Sequence, residues 1–187
     1  MNTTKYVGRF LATLVGISAS IITIGLTHTS FAQDKAPGTQ ERIGVYDSRS
    51  VAVAFYGSPA HMKQLKEMKT EHDKAKEAGD LGKVAQLEAE GKAQQEKAHQ
   101  QAFSTAPVDD LLLQITDALP EIRKTAGVTA LISKWDEAGL KNHPGAERVD
   151  VTIKLVDAFH PNERQRKSAI EIQKQKPVSL EQAKHAD

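Results

Sequence analysis

Beyond residue 32, histidines stand at His61, His72, His99, His143, His160 and His185, and they are the first side chains to test for chemistry. No two have the His-x-x-x-His spacing that sets two ligands on one helix face, so they predict no metal site. His160 and Glu163 are three apart, but Pro161 interrupts the helix that would align them. Asp109-Asp110 reads as favourable negative charge in a first helical turn rather than as an acid–base pair. Gly82-Lys83 hints at a phosphate loop until its neighbours are read. The position of the earlier glycine is Glu77, and Val84 stands where a Ser or Thr would hold the metal. There is no cysteine in the 187 residues, and no Gly-x-Ser-x-Gly elbow. These residues predict a protein without catalysis, cofactor or metal.

The side chains left with something to do are apolar ones on otherwise charged helices. From Pro59 to Ala78, Met62, Leu65, Met68, His72 and Ala75 recur at spacings of three and four, a narrow seam of coiled-coil type. A second arm from Lys83 continues with Val84, Leu87, Gly91, Gln94 and Ala98 on one side. Gly79-Asp80-Leu81-Gly82 between them reverses the chain into an antiparallel helical hairpin over residues 58–105. Its lysines and carboxylates cancel, and at 1.5 Å per residue each arm reaches about 30 Å. Met62, Leu65, Met68, Val84 and Leu87 are the candidate partner-facing residues. Either they face a client or they pack across their own hairpin. His72 reads as a tolerated polar member of the seam.

Such a hairpin needs a mount, because short helices draw their stability from tertiary packing. Arg42-Ile43-Gly44-Val45-Tyr46 alternates as a strand with one buried face. Asp47 caps a helix over Ser48 to Tyr56 that turns Val51, Ala52 and Phe55 inward; Gly57-Ser58-Pro59 then ends it and starts the hairpin. The strongest amphipathic pattern is Val108, Leu111, Leu112, Ile115, Leu119 and Ile122, which predicts one core helix kinked near Thr116 by Pro120. Gly127 suits its C-terminus. Val128 to Ile132 reads as a buried strand, Lys134 to Leu140 as a turn or second short strand, and Arg148 to Thr152 as a strand leading to a last helix that ends at Phe159. Ile43, Val45, Leu131, Ile132, Val149 and Val151 are the expected head core or oligomer surface. The head therefore comprises residues 42–57 and 106–159. Residues 160–187, polar and rich in Lys and Gln, are expected to be disordered.

The N-terminus reads as an address. Lys5 and Arg9 precede an almost uncharged run from Phe10 to Leu26, and Ser30-Phe31-Ala32 presents small residues for cleavage after Ala32. Residues 1–32 are thus an expected signal peptide and 33–41 a linker, which places the protein in the periplasm with no integral membrane segment after signal removal. Loss of Lys5 and Arg9 moves the formal charge from +1 to the acidic side of neutrality. A near-neutral chain poor in aromatic residues argues against nucleic acid as a partner. Only roughly 70 to 75 residues remain for the head, and a body that small, with no disulfide, gains by sharing a core with copies of itself.

The run Ile43-Gly-Val45-Tyr-Asp47-Ser-Arg-Ser-Val51, with Gly127-Val-Thr-Ala-Leu131-Ile132 and Val149-Asp150-Val-Thr152 before a short helix, resembles the Skp/OmpH family of periplasmic chaperones from Arg42 to Phe159. The resemblance implies an α+β fold, a small β-rich head split in sequence by the projecting hairpin. It also implies a homotrimer whose hairpins surround a cavity for unfolded outer-membrane or periplasmic proteins, held without ATP. This chain departs from the family in its neutral charge and short hairpin, which suit smaller or more loosely held clients. The alternative is a structural or adaptor protein of the cell envelope whose hairpin docks one folded partner.

Overall fold

In the computed structural model, residues 40–184 are described; the expected signal peptide, most of the linker and the last three residues lie outside them. Strand β1 (Arg42–Tyr46) is the centre of a three-stranded sheet, flanked by β2 (Leu131–Ser133) and β3 (Glu147–Asp150) in the order β2-β1-β3. Both pairings are parallel, with Gly44 opposite Leu131 on one side and Val149 on the other. Parallel neighbours require crossover connections. The first carries α1 (Ser48–Tyr56), α2 (Pro59–Glu77), α3 (Leu81–Phe103), α4 (Asp109–Leu112), a 3₁₀ turn at Leu113–Ile115 and α5 (Leu119–Ala126). The second carries only α6 (Glu137–Lys141). Mixed helix and sheet is the observed class, but with strands of five, three and four residues the body is helix-rich rather than β-rich.

Local signals account for most boundaries. The Asp47 side chain accepts from the Arg49 N–H and caps α1; Ser58 caps α2 ahead of Pro59, and Asp80 caps α3. Gly44 is needed where the strands crowd, since a Cβ there would lie 2.8 Å from Leu131 Cδ2 and 3.0 Å from Val151 Cγ2. Gly127 closes α5 in the left-handed region at φ 64°. The stretch from Val108 to Ile122 is not one kinked helix. Pro120 cannot donate to Thr116, so the chain stops after the 3₁₀ turn and restarts in α5, where Pro120 occupies a first-turn position that needs no donor. Its apolar face survives the break: Val108, Leu111, Leu112, Ile115 and Ile122 are all buried.

Three further expectations are corrected. The strand after α5 begins at Leu131, not Val128, although the Thr129 N–H still reaches Arg42 O at 2.9 Å. Of the turn or second short strand expected over Lys134 to Leu140, the turn forms and α6 stands in place of the strand, because Asp136 caps that helix through the Gly139 N–H at 2.8 Å. The last helix of the expected head, α7, covers Thr152–Asp157, and the chain beyond it is ordered as α8 (Glu163–Glu171), a 3₁₀ turn (Ile172–Lys174) and α9 (Leu180–Lys184). A reciprocal Asn162–Gln165 capping box starts α8.

The first part of this C-terminal segment, α8 and the 3₁₀ turn, covers the second side of α1, and α9 packs on α3. Ala169, Ile172 and Ala183 are buried, Ser50 Oγ donates to Ala169 O at 2.7 Å, and Arg49 Nη1 donates to Gln175 O at 2.9 Å. Its polar composition concealed this because the contact is made by small residues and backbone carbonyls. As a result α1 is buried on nearly every side, all but Val53 and Tyr56, and it joins Leu111, Ile115, Leu155 and Phe159 in one core. Replacing Ile172 by Ala is expected to cost about 2 kcal/mol or more of unfolding free energy. A urea titration showing a change within about 0.5 kcal/mol would mean the segment is not packed as described.

Candidate functional site

Two places on the molecule are built for something beyond core packing, the helical limb and the carboxyl edge of the sheet. In the limb, α2 and α3 run antiparallel, with His72 Nε2 3.4 Å from Glu88 Oε1 and the Met68 sulfur 3.9 Å from where a Cβ on Gly91 would be. Beyond the base, the arms bury only Ala75 and Leu87. Leu87 is therefore interior to the hairpin, Met68 and Val84 are half-buried beside it, and Met62 and Leu65 are exposed by 54% and 40%. Leu81 at the turn is 79% exposed. The five candidate residues thus divide into a seam and a short open stripe. The second arm cannot cover that stripe, because Gln94 and Ala98 offer it little apolar surface.

The limb is clamped at its base by polar contacts from three helices. Buried Gln101 of α3 accepts from the Tyr56 hydroxyl at 2.5 Å and donates to Pro107 O and Asp110 Oδ1, both at 2.8 Å. Lys97 Nζ lies 2.8 Å from the other oxygen of Asp110. Burial, reinforced by the Asp110 charge, pushes the Tyr56 phenol up to about 12. His61 packs against Phe55 and Tyr56, with centroids 5.1 and 5.0 Å away, and burial lowers its pKa.

At the carboxyl edge of the sheet lies Asp47, read from sequence only as a helix cap. Its side chain and that of Arg49 are each 1% exposed. Arg49 donates through Nε to Oδ1 at 3.1 Å and through Nη2 to Oδ2 at 2.9 Å. The Arg49 N–H adds a bond at 3.0 Å, Lys134 Nζ approaches at 2.6 Å, and Trp135 Nε1 stands at 3.5 Å. Lys134 and Arg49 also lie over the Trp135 ring, at 4.7 and 5.2 Å from its centroid. With its oxygens committed to these donors, Asp47 is an anchor rather than a base. The one charged residue in an otherwise small and apolar helix, Arg49, was the sequence signal for this centre.

The expected head residues also divide. Ile43 and Val151 are fully enclosed and Ile132 is buried, while Val45, Leu131 and Val149 are half-buried. Among the described residues no three His, Asp or Glu side chains are placed to hold a metal ion, and no helix is long and apolar enough to cross a membrane.

Burial alone would raise the Asp47 pKa, but the bonds from Arg49 and Lys134 outweigh it and hold the carboxyl below its ordinary value. A carboxylate depressed in the folded state contributes stability that is complete above the unfolded pKa of about 3.9. That contribution is lost as pH falls through the lower, folded value. Asp47→Asn should therefore flatten the acid limb of the stability–pH curve below about pH 4, and at pH 7 it should cost about 3–5 kcal/mol by stranding Arg49. Denaturant titrations from pH 2 to 7 measure both effects; an unchanged acid limb would remove Asp47 from this role. Among known proteins, no family model, no curated protein and no solved structure matches this chain.

Proposed function

We propose that this chain is a non-catalytic, ATP-independent holding chaperone of the periplasm, which binds unfolded outer-membrane or other exported proteins through its helical limb. The observation that carries the reading is the open stripe of Met62 and Leu65 on a helix whose other exposed residues, past Pro59 and Ala60 in its first turn, are charged or polar. Methionine is unbranched and polarizable, so it adapts to many apolar partners without demanding one shape. The resemblance to the Skp/OmpH family suggests the same use and adds assembly as a homotrimer. A limb that buries two residues beyond its base has much to gain from neighbouring copies. Since lysines and carboxylates on the limb balance, client binding rests on apolar contact and depends weakly on salt.

At stoichiometric ratio the protein is expected to suppress aggregation of a denatured β-barrel protein diluted from urea, equally well at low and physiological salt. Met62→Ser with Leu65→Ser should lower that protection several-fold while leaving the thermal midpoint nearly unchanged, because both side chains are exposed. Absence of suppression by the parent protein would sink the holding role and favour an adaptor that docks a folded partner. A monomeric mass by light scattering would remove the trimer.

A further inference from the structure

The order β2-β1-β3 makes the chain leave β1 toward one side and later return past it to the other. In parallel sheets such a reversal opens a crevice at the carboxyl ends of the diverging strands, where ligands characteristically bind. Here the crevice is a cavity of ≈ 230 Å³ between the ends of β1 and β3, lined by Val45, Tyr46, Asp47, Lys134, Arg148, Asp150, Thr152 and Gln173. It is independent of the helical limb.

Its hydrogen-bonding capacity is unbalanced toward donors. Thr152 is 2% exposed, and its hydroxyl oxygen accepts from the Asp47 N–H at 3.0 Å, yet its own proton has no acceptor among the described residues. The amide of half-buried Gln173 and the guanidinium of Arg148 likewise have no partner among the described residues. Lys134 spends one N–H on Asp47 and keeps two. On the acceptor side, Asp47 is saturated by Arg49, Lys134 and Trp135. Asp150 gives one oxygen to the Thr152 N–H at 2.8 Å, so the acceptors that remain are its second oxygen and the Gln173 amide oxygen, fewer than the unspent donors of Arg148, Lys134, Gln173 and Thr152. The lining sets two cations, Lys134 and Arg148, against two carboxylates, Asp47 and Asp150, and Arg49 behind the lining neutralises Asp47. Cations with unspent donors beside a buried hydroxyl proton call for an oxygen-rich anion.

We propose that this cavity binds a small oxyanion, a phosphate or carboxylate group on a molecule compact enough for the space. Arg148 and Lys134 supply the charge, and Thr152 and Gln173 supply neutral donors. Arg148 is the residue to change, since it is exposed and holds nothing else in the fold.

Isothermal titration of inorganic phosphate, and separately of succinate, into the purified chain at constant ionic strength tests this. Saturable binding of at least one, with Kd of about 1 mM or tighter, is expected. The two arms distinguish a phosphate site from a carboxylate site. Arg148→Ala should weaken binding at least tenfold and Gln173→Ala several-fold, with thermal midpoints held within a degree or two; Lys66→Ala, a cation on α2, should change nothing. The proposal is overturned if neither anion saturates below about 10 mM, or if the Arg148 and Gln173 variants bind like the parent.

Discussion

The structure depends on the enclosed carboxylate of Asp47. It sits where β1 gives way to α1, and its partners come from every part of the body that sequence separates. Arg49 belongs to α1, Lys134 and Trp135 to the exit of β2, and Arg49 in turn reaches Gln175 in the C-terminal segment. The Asp47 N–H goes to Thr152 at the start of α7. A buried ion pair adds little net stability compared with apolar residues of the same shape, because desolvation offsets the attraction. The Asp47–Arg49 pair itself is local, two residues apart, so its effect on arrangement comes through the distant partners Lys134, Trp135 and Gln175, which another packing of these segments would forfeit. Parallel strands bring their carboxyl ends to one edge, which is why the partners can meet there at all.

Above this centre, α1 is the element around which layers assemble. Helix α7 packs on one part of it, α3 and α4 on another, and α8 with the following turn on the remainder. Small residues make that possible, since Ser48, Ser50, Ala52 and Ala54 let neighbouring backbone approach closely. The limb hangs from the same helix. Tyr56 at the end of α1 holds Gln101, and Gln101 holds the chain entering α4. The arms are thus rooted by a polar clamp, while their far portion is closed by only Ala75 and Leu87. Rigid mount and thinly packed arms divide the molecule into a part that keeps its shape and a part able to adapt.

Much of the architecture was legible because it is encoded over a few residues. Asp47 and Ser58 as caps, Pro59 as a helix opener, Gly127 as a closer and the chain reversal at Gly79 (φ 70°) all act within one turn. The apolar face from Val108 to Ile122 was also correctly buried, even though Pro120 divides it. The candidate residues of the limb were harder to read. Periodicity places Met62, Leu65, Met68, Val84 and Leu87 on related faces, but it cannot tell a seam closed by the partner arm from a stripe left open.

What the sequence alone determined is therefore the local grammar: where helices start and stop, which faces are apolar, and that the limb folds back on itself. Only the tertiary structure decided which segments meet. It converted Asp47 from a cap into an ionic centre by bringing Lys134 and Trp135 to it. It joined residues 163–184 to the body through the small side chains of Ala169 and Ala183, and it made the sheet parallel. Caps and periodicities are short-range energies readable in one turn of chain, whereas burial of a small or charged residue acquires its meaning from partners a hundred residues away.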